Sequence, residues 1–359
     1  MAKPEVKPKF TKERFSVGLD IGSQSIKAVK LRFTKDAVEF CAFEIDSAQL
    51  DLASLLKKVK QSFGIDLVNI SVSGPATVIR YVNFPKMNKD ELKQALKFEA
   101  QKHIPFSISE INLDGVILKD DLPDGKMLVL LAAVKKDIVS QRLKLLEEAS
   151  LRPNLIDIDS VALINAFNFN YDAEESLKNK VVALLNIGAA TSNLNIVENG
   201  MPRLSRDIHI AGSNLTKKIM DTLGLEFNNA EELKLNPDKV QAIAKSPAQV
   251  QASSTSLPAK QPDKINAIVD SVLVSLAAEI RTSFDYYESQ STSAVSKIFI
   301  SGGGSKMSGL REALSAFLGI EVEIWDPLKQ MVLPQNLDAQ KLKEISSQLP
   351  VAIGLALRA

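Results

Sequence analysis

Apolar and polar positions alternate through residues 15–31, FSVGLDIGSQSIKAVKL, on either side of one polar break. Val17 and Leu19 lead into Asp20, Gly22 and Ser23, and Ile26, Ala28 and Val29 resume beside Lys27 and Lys30. Period-two alternation around a glycine turn predicts a β-hairpin, and the residue types in the turn suit an anion. Gly22 permits a turn that a Cβ would hinder and exposes backbone N–H groups. Ser23 and Ser25 add hydroxyl donors, Lys27 adds a point charge, and Asp20 could hold a hydrated Mg²⁺ against phosphates. A plain hairpin uses the same spacing, so the turn alone does not decide between the two.

A third strand is predicted at 37–45, after which the period changes. Leu52, Leu55, Leu56, Val59 and Phe63 fall on one helical face, with Gly64 in the C′ position that glycine favours. Strands follow at 67–73 and 76–82 around Gly74-Pro75. Beyond Pro85, Asn88 and Glu91 have capping-box spacing for a helix reaching Gln101. Strands at 111–118 and 127–134 flank a turn at Pro123-Asp124-Gly125, and a helix spans 137–149, which makes a compact α+β insert. His103, at a helix end with no Ser or Cys partner nearby, reads as structural. A short strand at 155–158 and a helix from Asp159 return to the first domain. There Asp157 and Asp159 serve as strand end and helix N-cap, or Asp159 orients an attacking water.

The hairpin pattern recurs at 181–197, VVALLNIGAATSNLNIV, with Gly188, Ala189, Ala190 and Thr191 in the turn. Two lobes that each offer such a turn would clamp a polyphosphate from both sides. Gly212 precedes a helix at 214–223, a position suited to phosphate. Glu231 and Lys234 stand three apart on one helical face, as a solvated pair or as holders of ribose hydroxyls. Residues 245–264 are rich in Ser, Pro, Gln and Ala and read as a mobile surface loop, and a helix at 265–290 carries a long apolar stripe. In KIFISGGGSKMSGL, 297–310, a strand runs into Gly302, Gly303 and Gly304, then Ser305 and Lys306, with Gly309 opening a helix. Three bare residues leave room for a flat ring or a sugar. No Walker A loop is present, and a Rossmann loop fits badly. A strand at 321–325 and a helix at 349–357 follow.

Composition narrows the class. At 359 residues the chain exceeds one ordinary core, and 45% apolar with 24% charged residues describes a soluble globular chain. Lys plus Arg (44) nearly cancels Asp plus Glu (43), so bulk charge asks for neither nucleic acid nor an anionic bilayer. Residues 1–14 are charged and proline-dotted, a mobile tail rather than a signal peptide, and no apolar run reaches membrane-spanning length. Work at a membrane would therefore need a partner that holds the chain there, without direct insertion. A lone cysteine, Cys41, excludes an intrachain disulfide and a cysteine-rich zinc site and fits a reducing compartment; Phe40 and Ala42 beside it suggest a buried thiol.

Strand, strand, strand, helix, strand is the opening of the ribonuclease-H-like domain shared by actin, sugar kinases and heat-shock chaperone ATPases. Asp20-Ile21-Gly22-Ser23 resembles the first phosphate motif of the actin-like ATPase superfamily, Asn186-Ile187-Gly188 through Thr191 the second, and Gly302-Gly303-Gly304 through Gly309 the adenosine motif. The insert stands where the cell-division protein FtsA and the PilM family of type IV pilus assembly carry a 1C subdomain. KFEAQKHIPF (97–106), EIRTSFDYYESQ (279–290) and VAIGLALR (351–358) resemble the PilM family closely. The resemblance implies an α/β, actin-like ATPase fold of two ribonuclease-H-like lobes with a 1C-type α+β insert. Its subdomains would be 1A at 15–84 and 154–180, 1C at 85–153, 2A at 181–212 and 291–347, and 2B at 213–290. A terminal helix at 348–359 would pack on 1A. FtsA would be expected to end in a linker and an amphipathic membrane helix, whereas this sequence stops at Ala359.

The same resemblance implies ATP and Mg²⁺. Asp20 would stand at the metal's water shell, with Gly22, Ser23, Ser25 and Lys27 at phosphates. Gly188, Ala189, Ala190 and Thr191 would form the second phosphate loop, Gly212, Glu231 and Lys234 the ribose side, and Gly302, Gly303, Gly304, Ser305 and Lys306 the adenosine loop, with Asp159 orienting water. The second motif usually begins with Asp, and Asn186 cannot supply that carboxylate. This opposes hydrolysis, leaving at most weak ATPase activity, and leaves nucleotide binding intact. The implied protein is a cytoplasmic ATP-binding scaffold at the inner face of the inner membrane. It would capture the cytoplasmic N-terminal peptide of PilN in a groove between the first domain and the insert, beside other pilus assembly platform proteins, with self-association left open. An ATPase cycling through hydrolysis and an FtsA-like filament-forming cell-division or cytoskeletal protein are the alternatives.

Overall fold

A computed structural model of the chain describes residues 13–48, 51–236, 261–335 and 337–358. The expected tail at 1–14 lies outside the described residues up to residue 12, and the expected loop at 245–264 up to residue 260; residues 261–264 open a helix instead. Two compact units divide the chain. The first holds the described residues up to Asn179, Val197–Ser205 and those from Asp326 on; the second holds Lys180–Ile196 and Arg206–Trp325.

The first unit opens with β1 (Arg14–Ile21), β2 (Ser25–Phe33), β3 (Val38–Ser47), α1 (Leu52–Phe63) and β4 (Leu67–Val72). The insert follows as β5 (Thr77–Pro85), α2 (Lys89–His103), β6 (Ile111–Leu122), β7 (Lys126–Lys135) and α3 (Lys136–Glu148), before β8 (Arg152–Ile158) and α4 (Asp159–Tyr171). The main sheet has the order β3-β2-β1-β4-β8, antiparallel between β1 and β2 and parallel from β1 through β4 to β8. Leu19, Leu56 and Ile70 are fully buried in its core, and α1 adds Leu55, Val59 and Phe63 to the same cluster. Each such side chain contributes about 2 kcal/mol of burial. Asp51 caps α1 by accepting from the Ala53 and Ser54 amides, and Gly64 ends it at φ 63°, where a side chain would strain the backbone. The capping box at α2 forms as its spacing predicts: Asn88 accepts from the Asp90 and Glu91 amides, and Glu91 accepts from the Asn88 amide at 2.8 Å.

One strand changes sheets. The pattern at 76–82 predicts a strand within subdomain 1A, and β5 instead pairs antiparallel with β7 in a separate three-stranded sheet of order β5-β7-β6. The turn at Gly74, φ 87°, closed by Thr77 N–H to Gly74 O at 2.9 Å, takes the chain out of the first sheet. The insert's sheet therefore begins at Thr77 rather than after Pro85. Cys41, expected to be buried, is partly exposed.

The second unit contains β9 (Val181–Ile187), β10 (Ser192–Glu198), β11 (Met201–Ile208), α5 (Gly212–Leu223), α6 (Phe227–Leu235), α7 (Gln261–Glu288), β12 (Val295–Ser301), α8 (Leu310–Leu318) and β13 (Glu321–Ile324), apart from the hairpin segment Val197–Ser205. Its sheet order, β11-β10-β9-β12-β13, repeats that of the first. Parallel pairing of β9 with β12 and of β12 with β13 matches β1, β4 and β8. The fold is thus duplicated.

Back in the first unit, α9 (Ala339–Ile345) leads to α10 (Pro350–Ala356), every residue of which is buried. Glycines permit its backbone contact. A Cβ on Gly18 of β1 would fall 1.9 Å from Ala352 O, and one on Gly354 would fall 1.7 Å from Ala162 O of α4. The buried Asn69 side chain donates to Leu355 O at 2.8 Å and to Ser16 Oγ at 3.1 Å.

Candidate functional site

The first glycine turn is closed on itself. Pairing of β1 with β2 ends at Ile21 opposite Ile26, and Gly22 N–H donates to Ser25 O at 3.1 Å. A Cβ at Gly22 would stand 2.9 Å from that oxygen, which is why glycine is needed. The Gly22 amide therefore closes the turn instead of pointing outward to an anion. Asp20 and Lys27 face each other across the hairpin, Oδ2 to Nζ 3.1 Å, with side chains only 13% and 14% exposed. Lys27 also reaches Ser25 O at 3.4 Å, and Ser23 is exposed at the tip. Arg142 of α3 donates to Ile21 O at 3.0 Å, a second cation at this turn that no local sequence signal marks. Asp159, in the same unit, is the first residue of α4. A carboxylate and an ammonium together fit the chemistry of a metal–phosphate group, which would have to compete with their mutual ion pair.

The second turn repeats the first in detail. Gly188 N–H donates to Thr191 O at 3.1 Å, and a Cβ there would stand 2.7 Å from the same oxygen. Ala189 and Thr191 are half-buried and Ala190 is exposed. Asn186 lies opposite Ser301, whose hydroxyl donates to its Oδ1 at 3.3 Å. The start of α5 is also occupied, since the Gly212 and Ser213 amides donate to Gly188 O at 3.0 Å and Ala189 O at 2.8 Å. These amides, expected to hold phosphate, brace the turn, and the positive end of the helix faces its carbonyls.

Lys234 is not on a solvated face. It is 6% exposed, with Nζ 2.5 and 2.7 Å from the Glu231 oxygens and 3.1 Å from Thr216 Oγ1. Thr216 Oγ1 also donates to Gly212 O, tying the pair to the start of α5. In the triple glycine, Gly302 has φ 85° and its Cβ would fall 2.4 Å from Ile187 O, while one on Gly304 would fall 2.3 Å from Ile187 Cγ2. Both are required by close approach to β9. The buried Ser305 hydroxyl donates to Gly302 O at 2.7 Å, and Gly303 and Lys306 are exposed. Gly212, Lys234 and Gly304 meet Ile187 and Leu276 around an apolar cavity of about 20 Å³, which has space for a water and none for a base. A nucleoside would have to lie on the exposed side, at Gly303 and Lys306.

A much larger space lies in the first unit. A groove of about 760 Å³ runs between the insert's sheet, with Val116, Leu130 and Ala132, and the β8–α4 segment, with Ile156, Asp157 and Val161. Val116 is 52% exposed on its floor. At one end stands Asp157, whose side chain is 10% exposed and whose Oδ2 is 3.2 Å from Arg358 Nε. That distance makes an ion pair, but among the described residues Oδ2 has no hydrogen-bond partner. Oδ1 accepts from the Ile158 amide at 2.9 Å. Burial pushes the Asp157 carboxyl pKa up, against the Ile158 N–H and the Arg358 charge. Arg358, also lining the groove, carries no sequence signal for this place, because only the fold brings residue 358 beside 157.

Two sheets of one strand order, each opening on the same glycine turn, define an actin-like ATPase fold. Within that class the chain belongs to the family described as type IV pilus assembly protein PilM, whose pattern matches residues 18–359. It is similar to a solved chain of a PilM-PilN type IV pilus biogenesis complex, at 25% identity over 96% of this chain and 98% of that one, with a TM-score of 0.80. It is also 20% identical over 353 residues to the cell division protein FtsA of Enterococcus hirae, spanning 87% of this chain and 78% of that protein. Family membership favours the pilus over the filament alternative. Among the described residues no helix is long and apolar enough to cross a membrane, and no three His, Cys, Asp or Glu side chains cluster as a metal site would require.

Proposed function

We propose that this chain is an ATP-binding scaffold of the pilus assembly platform that captures the cytoplasmic N-terminal peptide of PilN in the groove of its first unit. The observation that carries this reading is the groove itself, about 760 Å³ with an apolar floor and an Asp157–Arg358 pair at one end. Its size falls in the range of ligand-binding clefts. Burying two or three apolar side chains of a peptide supplies about 1.5–3 kcal/mol each. Ordering the peptide offsets part of that gain. Micromolar capture would be enough to hold the scaffold at the inner face of the inner membrane.

ATP with Mg²⁺ is the proposed ligand of the glycine turns. The first unit offers Asp20 for the metal's water shell and Lys27 for phosphate; the second offers Gly188, Thr191, Gly303 and Lys306. Support comes from the duplicated turn geometry. Asn186 in place of a carboxylate argues for binding with at most weak hydrolysis. Sedimentation with vesicles that display the PilN N-terminal segment tests the scaffold role. The chain should pellet with them, and should stay in the supernatant with bare vesicles of the same lipid. Equal pelleting in both cases would refute capture by the peptide. Calorimetry with Mg·ATP tests the second part, and no heat of binding at millimolar nucleotide would refute it.

A further inference from the structure

The lining of the groove has a regularity that one face of a sheet would not produce. Residues on a strand face recur at every second position, yet β8 contributes four consecutive residues, 155–158. A strand that lines a groove consecutively presents its edge. Among the described residues β8 is the last strand of its sheet and pairs only with β4. Its register with β4, from Asn69 opposite Leu155 to Val72 opposite Ile158, is unbroken there, so alternate residues direct N–H and C=O away from β4. Ile158 marks which ones, because its amide donates to Asp157 Oδ1 at 2.9 Å. By alternation Ile156 also turns its N–H and C=O toward the groove.

β6 lines the groove consecutively too, at 112–116, and is likewise the last strand of its sheet. Its edge is blunted in the middle, however, where the Gly115 amide donates to Asp114 Oδ1 at 2.8 Å. The equivalent cap on β8 comes only at its final residue. Ile156 is therefore an uncapped main-chain pair on β8, with apolar lining beside it. The Arg358 side chain, 47% exposed and paired with Asp157, also lines the groove.

We infer that the groove's occupant binds by strand addition: one residue of an extended peptide exchanges main-chain hydrogen bonds with Ile156 of β8, its flanking side chains lie on the apolar floor, and Arg358 takes a carbonyl or carboxylate oxygen at the end. The inference rests on the PilN reading above and specifies how that segment is held. Main-chain pairing supplies affinity and the floor supplies selection. The β8 sheet becomes six-stranded when the groove is filled.

The test uses the full chain and the synthetic cytoplasmic N-terminal peptide of PilN, unmodified and as a series in which one amide at a time becomes an ester, removing one N–H without adding bulk. The expected result is loss of about 2- to 12-fold in affinity at the position facing Ile156 with native affinity at its two neighbours, together with slowed hydrogen exchange of the Ile156 amide and unchanged exchange at Leu155 and Asp157. If the native peptide binds and every ester matches it, or if protection falls on β6 rather than on Ile156, strand addition to β8 is overturned while PilN capture stands. If the native peptide does not bind, the underlying reading fails and this inference fails with it.

Discussion

Gly354→Ala tests the seating of α10, which packs against β1 at Gly18 and against α4 at Ala162. The new Cβ would lie 1.7 Å from Ala162 O and 2.4 Å from Ala162 C, both main-chain atoms of α4. No rotamer relieves such an overlap, so the two helices must separate by roughly 1.3 Å to reach the closest contact real Cβ atoms make. Opposing this, alanine favours a helix over glycine by about 1 kcal/mol. Overpacking a core costs about 1–3 kcal/mol and occasionally more. Main-chain atoms on one side and a wholly buried helix on the other place this case at the upper end, for a net loss of about 2 kcal/mol. Urea unfolding followed by far-ultraviolet circular dichroism measures it. Gly64→Ala is the control, having φ 63° but nothing within 4 Å of its Cβ, and it should cost about 1 kcal/mol from backbone conformation alone. A Gly354→Ala protein as stable as the wild type would refute the close crossing of α10 and α4.

Three further outcomes are expected. Asn88→Ala removes both amide contacts of the α2 cap and should cost about 1 kcal/mol in the same unfolding assay. Lys234→Met leaves Glu231 without its buried cation and should cost about 3 kcal/mol, most of it recovered by Glu231→Gln in the same chain; an uncoupled pair in that double-mutant cycle would contradict the ion pair. Burial raises the Asp157 carboxyl pKa above the ordinary carboxylate value, so the native state holds its proton more readily than the unfolded chain. Its contribution is full below that value and lost as pH rises through the raised native value. Asp157→Asn should remove that fall, so that stability rises more steeply with pH just above the ordinary carboxylate range, and an unchanged slope would contradict the burial.

Local signals made much of the fold legible. Asp51 and Gly64 bound α1 because capping chemistry acts within a few residues, and the Asn88–Glu91 box formed for the same reason. The hairpins at Gly22 and Gly188 were readable because alternation and a glycine turn are also local. Partner choice was not: the pattern at 76–82 specifies a strand but contains nothing that selects β7 over β4. Roles within the glycine elements were hidden for a related reason. Whether an amide at Gly212 meets a phosphate or the carbonyl of Gly188 depends on a neighbour 24 positions away in the chain, and Gly304 is fixed by the side chain of Ile187. The groove's Asp157–Arg358 end joins residues 201 apart, a pairing no motif announces.

The most direct test of the account is calorimetric titration of the full chain with the cytoplasmic N-terminal peptide of PilN, beside the same titration of Val116→Asp. Val116 is 52% exposed on the groove floor, so the variant should fold normally while placing a charge where the peptide's apolar side chains would lie. Saturable binding to the wild-type chain is expected, with at least about tenfold weaker binding to Val116→Asp. Equal affinity for both chains, or no binding to either, would contradict it.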